Sequence, residues 1–185
     1  EYGSRRAMFL SRIHPKKGLL ELLKAWSLIG PDNTNWSLDI YGDFNNTYGT
    51  KCRKYANSNC ENITWHGEVH GRTKHEAFLN ADLFVFPTYS ENFSNVVLEA
   101  MQYGIPVITT KESCWGNLDR EKIGWITSNT PYELSLKIKD VLRLSTDELQ
   151  QTGNRAKEYV HNEYSSDKIR QMLADFYEII LLKGM

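Results

Sequence analysis

Short apolar segments alternate about six times with helical segments along this chain, and only short turns separate them. The apolar segments, which have the length and composition of β-strands, are residues 7–13, 37–43, 62–67, 82–88, 105–110 and 124–127. Helices are predicted between them at 17–29, 48–58, 72–80 and 96–104. Such alternation is typical of a parallel sheet that is covered by helices on both faces. The sequence therefore predicts an α/β fold with an open, mostly parallel sheet of about six strands.

The C-terminal part of the chain is predicted to be helical. Thr130 and Ser145 each begin a capping-box pattern, in which a hydroxyl residue at a helix start precedes a glutamate by three positions. Residues 166–182 carry apolar side chains on one helical face. The length of 185 residues fits one domain. We expect a single domain over residues 1–185, with a core over about 7–162 and a C-terminal helix over about 166–182.

The charge balance of the chain limits the partners that it is expected to bind. Its 22 Lys and Arg residues nearly cancel its 23 Asp and Glu residues, so neither nucleic acid nor an anionic membrane surface is predicted as a partner. No apolar run approaches the roughly 20 residues of a membrane-spanning helix. Three cysteines without CxxC spacing predict reduced thiols. Any bound anion must therefore be held by a local site.

The residues that follow the predicted strands are candidates for a binding site, because open parallel sheets bind ligands at the carboxyl ends of their strands. After the first strand, SRIHPKKG places Arg12 at the strand end and Lys17 at the start of a helix. A guanidinium, an ammonium and the free N–H groups of a helix N-terminus together suit a diphosphate. The alternative is that both residues are solvated surface charges.

The stretch ENFSNVVLEA, which follows the fourth strand, has a glutamate near each end of an apolar run. Ser94 or Asn95 is predicted to cap the helix, with Glu99 about one turn inside it. The N–H groups of residues 93–96 would then face the same edge of the sheet as the two cations. Glu99 is explained either by the helix dipole or by ligand hydroxyl groups, because a buried carboxylate requires hydrogen-bond partners.

Motifs of several other enzyme classes are absent from the sequence. There is no GxGxxG or GxxxxGK[ST] phosphate loop and no GxSxG turn, which disfavours dinucleotide oxidoreductases, nucleoside triphosphatases and α/β-hydrolases. There is also no Asp-x-Asp motif for a metal–diphosphate chelate. His66, His70 and His75 lack the Cys or carboxylate pattern that would complete a tetrahedral zinc site. No metal site is predicted.

Four segments, in this order and at these distances, resemble a known family: SRIHPKKG, IYGD, ITWHGEV and ADLFVFPTYSENFSNVVLEAMQYGIPVITT. They are similar to the C-terminal, nucleotide-sugar-binding domain of retaining family 4 (group 1) glycosyltransferases, which have the GT-B fold. The most specific element is the glutamate pair with seven residues between, followed by A-M-x-x-G-x-P-V-I. The resemblance covers about residues 7–182. It implies a Rossmann-like domain whose partner, an N-terminal acceptor-binding domain, is expected to be absent from this chain.

The resemblance also implies roles for single residues. Arg12 and Lys17 would hold the diphosphate of the donor and, with Glu91, would form the catalytic set. Glu91 would contact the donor sugar near the reacting carbon, and Glu99 would bind the ribose hydroxyl groups. Further donor contacts would come from the backbone of residues 93–96, which are Phe93, Ser94, Asn95 and Val96, and from Val69 and His70 near the base.

Two segments depart from the family pattern. Asn92-Phe93-Ser94 stands where the family usually has Gly-Phe-Gly, so a side chain occupies a position where the backbone approaches the ligand closely. TKESCWGNL (110–118) replaces a more common Gly-Gly segment, and the resemblance implies no role for Trp115 or Gly116. Both departures fall on the expected sugar pocket.

The first functional hypothesis is a donor-binding domain that serves the transfer of a hexosyl group from a nucleoside diphosphate sugar to a glycan or lipid-linked acceptor, in surface polysaccharide biosynthesis. A UDP-sugar is favoured, a GDP-sugar is the alternative, and no further cofactor is required. The domain alone is expected to be inactive. It is expected in the cytoplasm, or peripheral to the inner face of the membrane through its N-terminal domain. The second hypothesis is a stand-alone nucleotide-sugar-binding or regulatory module, and a hydrolase or epimerase is a third.

Overall fold

The computed structural model describes residues 5–30, 35–165, 167–168 and 170. The strands are β1 Arg5–Leu10, β2 Trp36–Tyr41, β3 Ile63–Gly67, β4 Leu83–Phe86, β5 Val107–Thr110 and β6 Gly124–Thr127. The helices are α1 Leu19–Ile29, α2 Thr47–Asn59, α3 Gly71–Leu79, α4 Asn95–Gln102, α5 Leu118–Glu121, α6 Pro131–Leu142 and α7 Thr146–Glu163, and a 3₁₀ helix at Pro15–Lys17 precedes α1. The helix predicted over 166–182 falls almost entirely outside the described residues.

The six strands run parallel in one sheet of order β3-β2-β1-β4-β5-β6. The order reverses between β1 and β4, because the first three strands extend to one side and the last three to the other. Helix α1 packs against α2 and α6, whereas α4 packs against α7. This architecture confirms the predicted α/β, Rossmann-like fold. The reversal opens a crevice at the carboxyl ends of β1 and β4, which is the usual ligand position in such sheets.

The core lies around the central strands. Every residue of β4 and of β5 is buried. For β4, the absence of polar alternation in the sequence predicts this, since such a strand is covered on both faces. Helix α1 is anchored on the sheet by its buried apolar residues Leu19, Leu22, Leu23 and Trp26. The loops that follow β1 and β4 therefore leave from well-packed strands, which limits their freedom.

The ends of several elements differ from the prediction. The first strand ends at Leu10 instead of residue 13, so Arg12 lies in the loop that follows it. Helix α1 begins at Leu19 instead of residue 17, because Gly18 has a left-handed backbone conformation with a φ of 72°. Helix α5 was not predicted, since its four residues are too few to show helical periodicity.

One of the two predicted capping boxes is wrong. The Ser145 hydroxyl accepts the Glu148 N–H at 3.2 Å while the Glu148 carboxylate accepts the Ser145 N–H at 2.8 Å, which confirms that box. The Thr130 hydroxyl caps no backbone group, so the first box does not form. The backbone N–H of Thr130 donates to the Ser128 hydroxyl at 3.0 Å. This donor is therefore not used by Glu133, the glutamate of the box.

Candidate functional site

The loop after β1 packs directly on the loop after β4. The carbonyl of Lys16 accepts hydrogen bonds from the Tyr89 N–H at 2.8 Å and from the Thr88 hydroxyl at 3.0 Å. At Gly18 a Cβ atom would lie 1.9 Å from the carbonyl oxygen of Pro87, so no side chain fits there. The two loops therefore form one unit at the crevice where the strand order reverses.

An ion pair joins these two loops. The ammonium of Lys17 contacts Oε1 of Glu91, and the two side chains are only 14% and 18% exposed. The ammonium also lies 5.8 Å from the ring centroid of Phe86. The resemblance assigns Lys17 to the diphosphate and Glu91 to the sugar, and the structure places the two groups in direct contact. A cation and a carboxylate are therefore adjacent in the crevice.

Arg12 lies at the same edge of the sheet, in the loop that β1 enters. Its side chain is exposed, and none of the described residues forms a hydrogen bond or an ion pair with it. The guanidinium is therefore available to an anion that approaches the crevice.

The N-terminus of α4 faces the crevice with unused N–H groups. The first hydrogen bonds of the helix run from the N–H groups of Val97 and Leu98 to the carbonyl of Ser94, at 2.9 and 3.4 Å. The N–H groups of Asn95 and Val96 precede these bonds and have no partner inside the helix. Together with the partial positive charge of the helix terminus, they suit an anionic ligand.

Ser94 occupies the N-cap position, but its hydroxyl does not cap the helix. Of the two predicted N-cap positions, Ser94 is confirmed, but the side-chain cap does not form. Ser94 has φ 56° and ψ 61°, a left-handed conformation, whereas residues whose side chains cap a helix typically have an extended one. The hydroxyl is buried and has no hydrogen-bond partner among the described residues. Position 94 therefore combines backbone strain with an unsatisfied polar group.

We expect Ser94→Gly to raise the free energy of unfolding by about 1 kcal/mol, because glycine relieves the left-handed strain and removes the hydroxyl. Ser94→Ala keeps the backbone strain, so its free energy of unfolding should rise by less. Lys122→Gly is the matched control, since Lys122 also has a φ of 56° but is exposed, so it reports the relief of strain alone. Urea unfolding checks the order of the three variants. A Ser94→Gly variant less stable than wild type would contradict this account.

Glu99 has a protein partner that the sequence did not reveal. The ammonium of Lys74, on α3, lies 2.8 Å from Oε1 and 2.7 Å from Oε2 of Glu99. The side chains of Lys74 and Glu99 are 31% and 35% exposed, so the carboxylate also retains a face toward solvent. No spacing rule connects residues of two helices, and the pair was visible only in three dimensions.

The residues expected near the base follow β3. Val69 is half-buried, and His70 is exposed at the N-terminus of α3, where its N–H donates to the Thr73 hydroxyl at 3.3 Å. Beside this loop is an open cleft of about 320 Å³, at the carboxyl ends of β2 and β3. Its lining residues, none of which is a candidate from the sequence, are Asp43, Phe44, Asn45, Gly67 and Glu68.

The three histidines considered for zinc have separate partners. His66 pairs with the Asp39 carboxylate at 2.9 Å, and His75 forms a hydrogen bond with the Tyr103 hydroxyl at 2.6 Å. Nε2 of His70 lies 3.8 Å from the Glu68 carboxylate. No cluster of three or more His, Cys, Asp or Glu side chains suited to a metal occurs in the described part of the chain. Within the same residues, no helix has both the length and the apolarity to cross a membrane.

The loop after β5 reaches the crevice from the other side. The carbonyl of Phe93 accepts a hydrogen bond from the Trp115 indole at 2.9 Å and one from the Cys114 thiol at 2.8 Å. Burial raises the pKa of the Cys114 thiol, and the negative charge of Glu91 adds to this effect. No role for Trp115 follows from the sequence, and in the structure it contacts the loop that carries Glu91.

Comparison with known proteins shows the family to which this chain belongs. Residues 3–159 match the family model described as Glycosyl transferases group 1. The capsular polysaccharide biosynthesis glycosyltransferase CapM of Staphylococcus aureus is 27% identical over 182 residues, which cover 94% of this chain and 46% of that protein. The chain spans about half the length of the curated relatives that it matches most fully.

Solved structures share the fold at low identity. A glycosyltransferase from Rickettsia africae has a TM-score of 0.83 and 18% identity, with 98% of this chain and 49% of that chain covered. HepE from Anabaena, in complex with UDP-glucose, has a TM-score of 0.80 and 19% identity, with 96% of this chain and 49% of that chain covered. From the family match and the common GT-B architecture, we conclude that this chain belongs to the group 1 glycosyl transferases.

Proposed function

We propose that this chain is the nucleotide-sugar donor-binding domain of a retaining glycosyltransferase that transfers a hexosyl group. The observation that carries the proposal is the pairing of Lys17 with Glu91 at the strand-order reversal, beside the N-terminus of α4. A nucleoside diphosphate sugar presents two adjacent groups to a protein, an anionic diphosphate and a neutral hydroxyl-rich ring. A cation next to a carboxylate suits that junction, because the cation attracts phosphate and the carboxylate accepts sugar hydroxyls.

The cations would promote departure of the nucleoside diphosphate. As the bond between the anomeric carbon and the phosphate oxygen breaks, negative charge accumulates on the leaving diphosphate. Lys17, Arg12 and the N–H groups at the start of α4 would stabilise that charge without a metal ion. Glu91 would orient the sugar ring through its hydroxyl groups. The acceptor hydroxyl would attack the anomeric carbon from the face that the diphosphate leaves, and would pass its proton to a diphosphate oxygen.

The nucleoside would extend along the sheet toward β3. Glu99 would accept hydrogen bonds from the ribose hydroxyl groups, and the backbone of Val69 and His70 would border the base beside the 320 Å³ cleft. We favour UDP as the nucleotide, since HepE binds UDP-glucose with a similar fold. The name of CapM favours a role in surface polysaccharide biosynthesis. An acceptor-binding domain would complete the cleft and hold the glycan or lipid-linked acceptor.

Isothermal titration calorimetry with UDP, GDP, ADP and UDP-glucose tests the proposal directly. We expect UDP and UDP-glucose to bind the chain, and Arg12→Ala to weaken both by removing a diphosphate contact. If none of the four compounds binds above background, the donor-site assignment is wrong.

A second experiment tests whether Glu99 binds the ribose. We expect Glu99→Gln to lower the affinity for UDP about tenfold, because the hydroxyl groups lose a charged acceptor. A 2′,3′-dideoxy analogue of UDP should bind wild type about tenfold more weakly for the same reason, and the variant and the analogue together should lose no more. Calorimetry measures all four combinations.

Glu76→Gln is the control for the change of charge. Glu76 lies on α3 and pairs with Arg72 at 2.8 Å on an exposed surface, so its replacement should leave UDP binding unchanged. Additive losses from Glu99→Gln and from the dideoxy analogue would mean that Glu99 acts elsewhere than on the ribose.

A further inference from the structure

The carbonyl of Phe93 is held by two donors from the loop that follows β5. The Trp115 indole donates at 2.9 Å and the Cys114 thiol at 2.8 Å. Trp115 is only 1% exposed, although it lies beside the crevice. An indole N–H that is buried this completely has no access to water, so its hydrogen bond to the Phe93 carbonyl compensates the free energy of removing the N–H from water.

The Phe93 carbonyl belongs to the same peptide group as the Ser94 N–H. Because a trans peptide group is planar, its C=O and N–H point in opposite directions, and fixing one fixes the other. The two donors therefore turn the Ser94 N–H away from the β5 loop. No described residue accepts a hydrogen bond from that N–H. The group immediately precedes the free N–H groups of Asn95 and Val96 at the start of α4.

Trp115 is itself held by a series of hydrogen bonds that leads back to the sheet. The backbone N–H of Trp115 donates to the Ser113 hydroxyl at 3.3 Å, and that hydroxyl donates to the carbonyl of Thr110 at 2.8 Å. Thr110 ends β5, and its own hydroxyl donates to the carbonyl of Thr88 at 2.6 Å. The indole is thus fixed relative to the loop after β4, which carries Glu91.

Aromatic contacts restrain the indole ring from a further side. The Tyr164 ring, at the end of α7, lies 5.4 Å from the Trp115 ring and 5.7 Å from the Phe93 ring. The Phe93 and Trp115 rings are 5.7 Å apart. Phe93 is 40% exposed, whereas Trp115 is buried beneath the ring cluster. The hydrogen bond from the Trp115 indole to the Phe93 carbonyl therefore links the protein interior to the rim of the crevice.

We infer that Trp115 is a positioning residue for the donor, which orients the 93–94 peptide group so that the Ser94 N–H donates to the diphosphate sugar. The inference rests on the proposed function, and it assigns a role to the segment that departs from the family pattern. Trp115 does not touch the donor. It acts through the backbone of the loop that carries Glu91.

Trp115→Phe tests the inference, because it removes the indole N–H and retains an aromatic ring. The matched control is Trp36→Phe. Trp36 is 3% exposed and donates its indole N–H to the carbonyl of Leu142 at 3.2 Å. It begins β2, so it lies at the amino edge of the sheet, opposite the edge that carries the candidate site. We expect Trp115→Phe to weaken UDP-glucose binding about 5- to 10-fold in calorimetry, the effect of one lost hydrogen bond, and Trp36→Phe to change it less than 2-fold.

Amide hydrogen exchange supplies a readout that packing alone would not change. Exchange of the Ser94 N–H in wild type should slow when UDP-glucose is added, and this protection should be lost in Trp115→Phe but kept in Trp36→Phe. The wild-type measurement needs no variant, so it holds even if Trp115→Phe fails to fold. Absence of Ser94 protection in wild-type chain that binds UDP-glucose would overturn the inference.

Failure of the inference and failure of the proposed function give different results. Wild-type chain that binds UDP-glucose, with Trp115→Phe equal to Trp36→Phe in affinity, overturns the role of Trp115 and leaves the donor site intact. Wild-type chain that binds neither UDP nor UDP-glucose overturns both.

Discussion

Lys17→Met is expected to lower the affinity for UDP about 30-fold. The ammonium lies at the crevice and the Lys17 side chain is only 14% exposed, so water would screen its proposed contact with phosphate only weakly. Hydrogen bonds to charged groups contribute about 1.5–3 kcal/mol, which corresponds to a factor of roughly 10–150 in affinity. Methionine keeps the length and the apolar stem of the side chain. Calorimetry with UDP at physiological salt measures the loss.

The same substitution leaves the Glu91 carboxylate without its partner. Glu91 is 18% exposed, and a poorly solvated carboxylate that loses its cation destabilises the fold by about 1–3 kcal/mol. The double variant Lys17→Met/Glu91→Gln should recover most of this stability without recovering UDP affinity. Urea unfolding and calorimetry on the two variants therefore separate the structural role of the pair from the binding role of the cation.

Lys16→Met is the matched control for Lys17→Met. Lys16 precedes Lys17 and is exposed, and its replacement by methionine changes the net charge by the same amount. The contacts of Lys16 with the β4 loop use its backbone carbonyl, which the substitution retains. An equal loss of UDP affinity in Lys16→Met would show that general positive charge, rather than a contact of Lys17, attracts the nucleotide.

Gly18→Ala is expected to lower the free energy of unfolding by about 4 kcal/mol, at the large end of the range for single substitutions. The added Cβ would lie 1.9 Å from the oxygen and 2.8 Å from the carbon of the Pro87 carbonyl. Both are backbone atoms of the loop after the central strand β4, so neither moves cheaply. UDP binding should fall as well, because relief of the clash separates the loops that carry Lys17 and Glu91. Urea unfolding and calorimetry measure the two effects.

Gly104→Ala separates the clash from the cost of the backbone conformation. Gly104, just after the end of α4, has a φ of 74°, close to the 72° of Gly18, but the nearest atom to its Cβ position lies 3.7 Å away, an ordinary van der Waals contact. We expect a loss of only about 1 kcal/mol there, the cost of a left-handed alanine, and no change in UDP affinity. Equal losses in the two variants would mean that the loops are not packed as closely as the Gly18 geometry requires.

The fold was predictable because its signals are local. Strand β4 is uniformly apolar, and the alternation of strands with helices is typical of parallel connections. The Ser145 capping box is also local, since its two residues are three apart. The Thr130 box has the same pattern and fails because Ser128 competes for one of its donors. A pattern of four residues does not show which neighbour takes a donor when two acceptors are within reach.

The positions of the candidate residues in the fold were predictable, whereas their part in ligand binding stays a prediction. Arg12, Lys17, Glu91, Ser94 and Glu99 all lie at the carboxyl edge of the sheet or within the first two turns of α4, as the strand-end argument requires. Their partners were not predicted. Lys74 on α3 contacts Glu99, and Trp115 after β5 contacts the Phe93 carbonyl. These contacts join residues 25 and 22 positions apart in the sequence.

The sequence by itself determined the parallel α/β architecture and the edge at which polar and charged residues collect, because strand and helix periodicity and the position of a residue after a strand are local properties. The tertiary structure alone decided which charges pair, which hydroxyl remains unsatisfied and which peptide group is clamped. Those outcomes depend on distances of a few ångströms between separate loops, and an N–H···O hydrogen bond typically has a donor–acceptor distance of roughly 2.7–3.2 Å. Periodicity places loops at a common edge, but only packing sets distances that short.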